Sequence, residues 1–140
     1  MKTLALILSL VLSTTLSHSQ EDIETYSITV KIDNALSDDG NMLIGLHNED
    51  TFMKRKGLQN SKSTIEDGVV TVTFEDITPG NYAIMVLHDS NDNGKMDFDT
   101  TGRPSESYGM SNNPMLFGPP TFTNAKFELL NEDKEINIRF

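Results

Sequence analysis

The chain has 140 residues, no cysteine, and 21 Asp and Glu against 11 Lys and Arg, a formal charge of −10 at pH 7. That balance opposes nucleic-acid binding, which relies on Lys and Arg neutralising phosphate, and it equally opposes docking on an anionic membrane. The length suits one domain rather than two, and without cysteine no disulfide staples it, so packing, helped by any bound ion, must hold it together.

The first residues read as an address. Met1-Lys2 is a short basic start, Leu4 to Leu12 is apolar apart from Ser9, and Ser17-His18-Ser19 offers small residues where a signal peptidase reads. The expectation is a signal peptide over residues 1–19, cleaved before Gln20. Residues 20–140 are then a single exported domain, periplasmic or extracellular. The apolar run is too short to span a bilayer, and no other stretch approaches the roughly 20 residues a transmembrane helix needs. No cysteine follows to carry a lipid anchor. Loss of Lys2 makes the exported chain one unit more negative.

Strand signals then dominate. Tyr26 to Ile32 alternates strictly, with Ile28, Val30 and Ile32 on one face. Asp38-Asp39-Gly40 turns into Met42 to His47, a second and more apolar strand. Thr51 to Lys56 is the one helix candidate, a turn or two long, and its Lys54-Arg55-Lys56 reads as a solvated face. Val70 to Phe74 alternates again, and Thr78-Pro79-Gly80-Asn81 is a tight turn in which Pro fixes one dihedral and Gly supplies the positive one. Tyr82 to Leu87 is nearly continuous in apolar residues, as a central strand should be. At the C-terminus, Ala125 to Leu130 and Glu135 to Phe140 read as a hairpin around Asn131-Glu132-Asp133.

Six strands and almost no helix predict an all-β, single-domain antiparallel β-sandwich, immunoglobulin-like or transthyretin-like. Residues 89–124 stand apart, rich in Gly, Pro, Asn, Asp and Ser and lacking a clear strand. Loops of that length inside a compact domain are usually functional or disordered, and Phe98, Tyr108, Phe117 and Phe122 argue against disorder. An ordered surface element is expected, with Tyr108 and Phe117 packing it onto the sandwich rather than forming a ligand platform. Phe140 ends an alternating strand, as in outer-membrane barrels, but six short strands cannot close one.

The long element opens on the densest chemistry in the chain. Asp89, Asn91 and Asn93 lie at positions 1, 3 and 5 of a calcium loop, Gly94 at the turn position 6, Lys95 at position 7, where a backbone carbonyl serves, and Asp97 at position 9. Calcium takes six to eight oxygens at about 2.3–2.6 Å, and alternating Asp and Asn around a tight turn can gather most of them locally. The match breaks at position 12, which is Thr100 instead of a bidentate Glu, and the loop follows a strand, not a helix. Glu106 can fold back to supply the missing carboxylate, or pair with Arg103. The metal set is therefore Asp89, Asn91, Asn93, Lys95, Asp97 and Glu106, with Ca2+ as the cofactor. A turn that only satisfies its own backbone is the competing reading.

Two stretches carry a family resemblance: Phe74 to Ile84 running into His88 to Asp97, and Gly102-Arg103-Pro104-Ser105-Glu106-Ser107-Tyr108-Gly109-Met110 followed by Phe117-Gly118-Pro119-Pro120-Thr121-Phe122. Their order and spacing resemble the bacterial exported domain-of-unknown-function family 2141. The resemblance covers essentially all of the exported chain, with Met110 where an aromatic is common. It implies a small secreted or periplasmic β-sandwich and assigns no activity. The Pro-Gly-x-Tyr strand entry is also similar to transthyretin-like and collagen-adhesin B-type modules, a likeness many sandwiches share.

Other chemistry is thinner. His47 and His88 both end strands and could meet at one rim with Asp89 as a minimal zinc site. Asp89, Asp97, Asp99 and Glu106 could place two carboxylates about 5–10 Å apart for hydrolysis. Nucleophilic catalysis lacks a cysteine, a Gly-x-Ser-x-Gly and a Ser with a His partner. The reading is an exported, non-enzymatic binding or structural module stabilised by calcium, monomeric, with a protein or glycan partner in the cell envelope. The alternative is a small cell-envelope hydrolase using the Asp/Glu/His cluster.

Overall fold

A computed structural model describes residues 22–140, so the expected signal peptide and its cleavage point lie outside the described residues. The elements run β1 (Tyr26–Ile32), β2 (Asn41–His47), β3 (Gln59–Ser63), β4 (Val70–Ile77), β5 (Gly80–Asp89), β6 (Tyr108–Met110), α1 (Phe122–Ala125), β7 (Phe127–Leu129) and β8 (Lys134–Ile138). One sheet has the order β4-β1-β8. The other has the order β3-β2-β5-β6, with β7 also pairing β5. All pairings are antiparallel except that of β1 with β8. This is the expected all-β sandwich.

Alternation decides what the sheets enclose. Ile28, Val30 and Ile32 face Met42, Ile44 and Leu46 of β2 and Ile84 and Val86 of β5 across one core, closed by Phe74, Leu129 and Ile138. Successive residues of a strand point to opposite faces, so the odd-numbered residues of β2 and β5 face outward. In β4 the alternation slips: Phe74 and Ile77 are both buried, three residues apart. The irregularity in the β1–β4 register, with Asp76 at φ 58°, absorbs the extra residue.

All six expected strands are present, and two more lie where none was expected. β3 is polar throughout and forms an edge with one ladder neighbour, β2. β6 is three residues inside the long element, paired to β5 from Met85 to Leu87. The expected C-terminal hairpin is not formed. β7 joins β5 in one sheet while β8 joins β1 in the other, so Asn131-Glu132-Asp133 arches across the sandwich. Both segments alternate correctly for a hairpin, but a hairpin would stack their apolar faces on one side. The arch lets Phe127 and Leu129 face Ile136 and Ile138 through the core. Thr51 to Lys56 makes hydrogen-bonded turns rather than helix, interrupted by Met53 at φ 56°. Among the described residues the single helix is α1, one turn capped by Thr121.

A second, smaller cluster packs on the outer face of β5. Phe52, Ala83, Met110 and Ala125 are buried there, with Met85, Tyr108, Leu116 and Phe122 against them. It clamps the end of the long element to the sheet, through Tyr108 as expected and through Phe122. Phe117 takes no part in it: it is 96% exposed at the tip of the segment before α1.

Candidate functional site

Asp89 ends β5 and is fully buried, at 0% exposure. Its outward position at the end of a central strand puts its carboxylate under the turn that follows. Oδ1 accepts from the Asn93 amide at 3.0 Å and Oδ2 from the Gly94 amide at 2.8 Å. Asn91 Oδ1 also accepts from Asn93 N at 3.2 Å, and Asn93 Oδ1 accepts from Lys95 N at 3.1 Å. These Asx turns wind the backbone around Asp89, with Asp92 and Gly94 at positive φ of 55° and 81°. The base of the loop rests on the β1–β2 turn. A Cβ on Gly40 would sit 2.0 Å from the Asp89 carbonyl oxygen, and His88 Nε2 lies 2.9 Å from Asp39 O in the same turn.

Asp97 closes the loop. Its Oδ2 accepts from Asn91 Nδ2 and from Asn93 Nδ2, each at 2.7 Å. Glu106 folds back from outside the loop, as one of its two expected roles required. Its Oε1 accepts from Ser90 N at 3.0 Å and Ser90 Oγ at 3.3 Å, and its Oε2 accepts from Asp97 N at 3.2 Å. Glu106 makes no ion pair with Arg103; among the described residues the ion pairs are Lys31–Glu135 and Lys62–Asp92. The Lys95 side chain is exposed. Asp99 belongs to a neighbouring turn, where the Thr101 hydroxyl and the amides of Thr101 and Arg103 bind its carboxylate and hold its pKa below the ordinary value.

The donors suit a hard cation in kind, being carboxylate and amide oxygens around one turn. They are not yet arranged as a coordination shell: among the described residues, no three His, Cys, Asp or Glu side chains are placed to share an ion. Both asparagines turn Nδ2 toward Asp97, so an ion at that point would require the amides to present Oδ1 instead. Asp89 has no Lys or Arg partner at ion-pair distance among the described residues. A buried carboxylate without a cation is costly, which makes this the position where a bound ion would contribute most.

The histidines fall apart as a pair. Met42 lies opposite His88 and His47 opposite Ala83, so they occupy opposite ends of the β2–β5 ladder. They also face opposite sides of the sheet. His88 points inward and stacks on Phe140 at 6.4 Å, while His47 points outward, with Nδ1 3.2 Å from Thr51 Oγ1 and its ring edge-on to Phe52. Burial pushes the His47 pKa below the ordinary 6.5. His47, His88 and Asp89 therefore do not meet at one rim, and the minimal zinc site they could have made is not formed.

A feature the sequence reading missed lies beside the loop. The outer face of β2 and β5 is the floor of a groove of about 1000 Å³, with Leu43, Gly45 and His47 along β2 and Met85 and Leu87 along β5. Met53 and Lys56 wall one side, Met96, Phe98 and Tyr108 another, and Gly118 to Pro120 a third. The available signal was the continuous apolar run in both strands. Alternate residues of such a run must face away from the core, and here they floor the groove.

A family model described as "Uncharacterized protein conserved in bacteria (DUF2141)" matches residues 30–137, and the chain belongs to that family. No curated protein and no solved structure matches it.

Proposed function

We propose that this member of the DUF2141 family is an exported, non-enzymatic binding module whose Asp89–Glu106 loop is held in shape by calcium. Asp89 carries the reading: a fully buried carboxylate, bound by the Asn93 and Gly94 amides at the base of the turn that Asn91, Asn93 and Asp97 close, and without a cationic side chain at ion-pair distance among the described residues. Asp89, Asn91, Asn93, Asp97 and Glu106 supply the side-chain oxygens and Lys95 its carbonyl. The apolar groove beside the loop supports a binding role, since ligand sites are concave and mostly apolar with a few polar groups. The hydrolase alternative draws less support, because His88 is committed to Asp39 and Phe140 and His47 lies at the far end of the sheet. Within this proposal the protein is a monomer, working in the periplasm or outside the cell on a protein or glycan partner.

With two or three carboxylates the affinity belongs in the range of extracellular calcium modules, about 10⁻⁴–10⁻³ M. At a calcium concentration 100 times the dissociation constant, linkage adds about 2.7 kcal/mol to stability. Thermal melts in 10 mM calcium and in chelator should therefore differ by several degrees. Asp97→Asn, at a position outside the core, should shrink the difference, and Asp89→Ala should abolish it. Superimposable melts of the unsubstituted protein would remove calcium from the account.

A further inference from the structure

We infer that the groove on the outer face of β2 and β5 binds a small amphipathic anion, an unbranched apolar chain ending in one carboxylate, with the chain over Leu43, Met85 and Leu87 and the head at Lys56. The inference rests on the binding-module reading above and names its ligand class.

Charge selects the sign of the ligand. The chain carries 21 acidic residues against 11 basic ones, yet no lining residue of the groove is Asp or Glu, while Lys56 and Lys62 both line it. The two lysines are not equivalent. Lys62 is engaged by Asp92, whose carboxylate it draws to a lower pKa, whereas Lys56 makes no ion pair among the described residues. Among the described lining residues Lys56 is therefore the unpaired lysine, at the His47 end of a trough whose floor is largely apolar and whose other polar groups, His47, Asn60 and Ser61 among them, include no carboxylate. A cationic ligand would find no countercharge there, and a neutral one would leave Lys56 unused.

Shape selects the body. The floor from Leu43 to His47 runs four strand steps, about 13 Å at 3.3 Å each. Gly45 makes room for the His47 ring, whose Nε2 lies 2.7 Å from where a Cβ would stand, so the imidazole covers that stretch of the floor and the apolar part is Leu43, Met85 and Leu87. The floor is the face of a sheet, its amides already spent in the ladders of β2 with β3 and β5. An extended peptide laid over β2 and β5 would find no unpaired backbone beneath it, the free edge being that of β3 at the side of the groove, so side chains do the recognising on the floor. Met53, Met85 and Met96 are flexible and polarizable, suited to a chain without fixed shape. About 1000 Å³ is at the upper end of small-molecule sites.

The test is a titration of the exported form, residues 20–140, with dodecanoate below its micelle concentration, followed by methionine-methyl NMR. Dodecyltrimethylammonium is the control of opposite charge. Saturable shifts at Met53, Met85 and Met96 are expected, with Met42 in the core and Met115, 83% exposed outside the groove, unmoved. Lys56→Glu, on an exposed side chain, should weaken dodecanoate at least tenfold. Equal binding of the ammonium control, shifts at Met115 that track the others, or an unchanged affinity in Lys56→Glu would overturn the proposal. Calcium melts on the same samples separate the two readings: a missing calcium shift with an intact titration refutes the calcium-held loop alone, and the converse refutes the anion alone.

Discussion

His47 shows how one residue can serve both packing and surface. It is nearly buried against Phe52 and Thr51, and burial lowers its pKa below 6.5. The unfolded chain then binds the proton that the folded chain refuses. Stability is fully present above the unfolded value of about 6.5 and declines as pH falls from there toward the lowered folded value. Replacing His47 by Gln should flatten denaturant-derived stability between about pH 6.5 and 5.5, a window in which the carboxylates stay largely ionised. An unchanged slope in that variant would show that the ring is protonated as freely in the fold as in the unfolded chain.

At the scale of elements, one buried hydroxyl joins three parts of the fold where the long segment ends. Ser111 Oγ accepts from Ile84 N at 2.9 Å and donates to Ala125 O, tying β5 to the residue after β6 and to α1. Ser111, Ile84 and Ala125 are all at 0% exposure. Ser111→Ala would strand a buried amide and a buried carbonyl, and about 2–3 kcal/mol of stability should be lost in chemical denaturation. A loss below 0.5 kcal/mol would mean that β6 and α1 contribute little to holding the fold. The same elements mark what alternation can and cannot disclose. Strands with one apolar face, such as β1, were legible because period-two patterning is local. β3 was not, since an edge strand with polar residues on both faces leaves no period to read. β6 was too short to show one. The destination of β8 was hidden for another reason: its alternation is the same whether it pairs with β7 or crosses to β1, and only the sharing of the core between two sheets decides.

At the scale of the whole molecule, the candidate site divides along the same line. Asp89, Asn91, Asn93 and Asp97 were legible because their spacing lies within one turn of chain, and Glu106 because a missing carboxylate asked for one nearby. The groove was not legible: Met53, Phe98 and Pro119 come together only after three separate connections fold over one sheet face. Those connections differ in how they are held, and that difference is open to measurement. Residues 107–125 are clamped by β6, Ser111 and the Phe52–Met110 cluster. Residues 90–105 lean on Asx turns, Glu106 and the exposed Lys62–Asp92 pair. If calcium supplies the rest of their order, limited proteolysis in calcium should spare them, and chelation should open cuts near Gly94 and Gly102. Both glycines have φ of +81° and nothing within 4 Å of where a side chain would stand. Gly109 should resist under either condition, because it is buried in β6 with Ile138 against it. Loops open at lower free energy than core strands, so the sandwich should survive as one trimmed body. Asp97→Asn should give the chelated pattern in part while calcium is present, by removing one ligand charge. Mass spectra of the fragments also locate the mature N-terminus, expected at Gln20. Rapid cutting between residues 90 and 105 at every calcium concentration would mean that calcium does not order the turn, and the loop would then be a flexible wall of the groove instead of a fixed one.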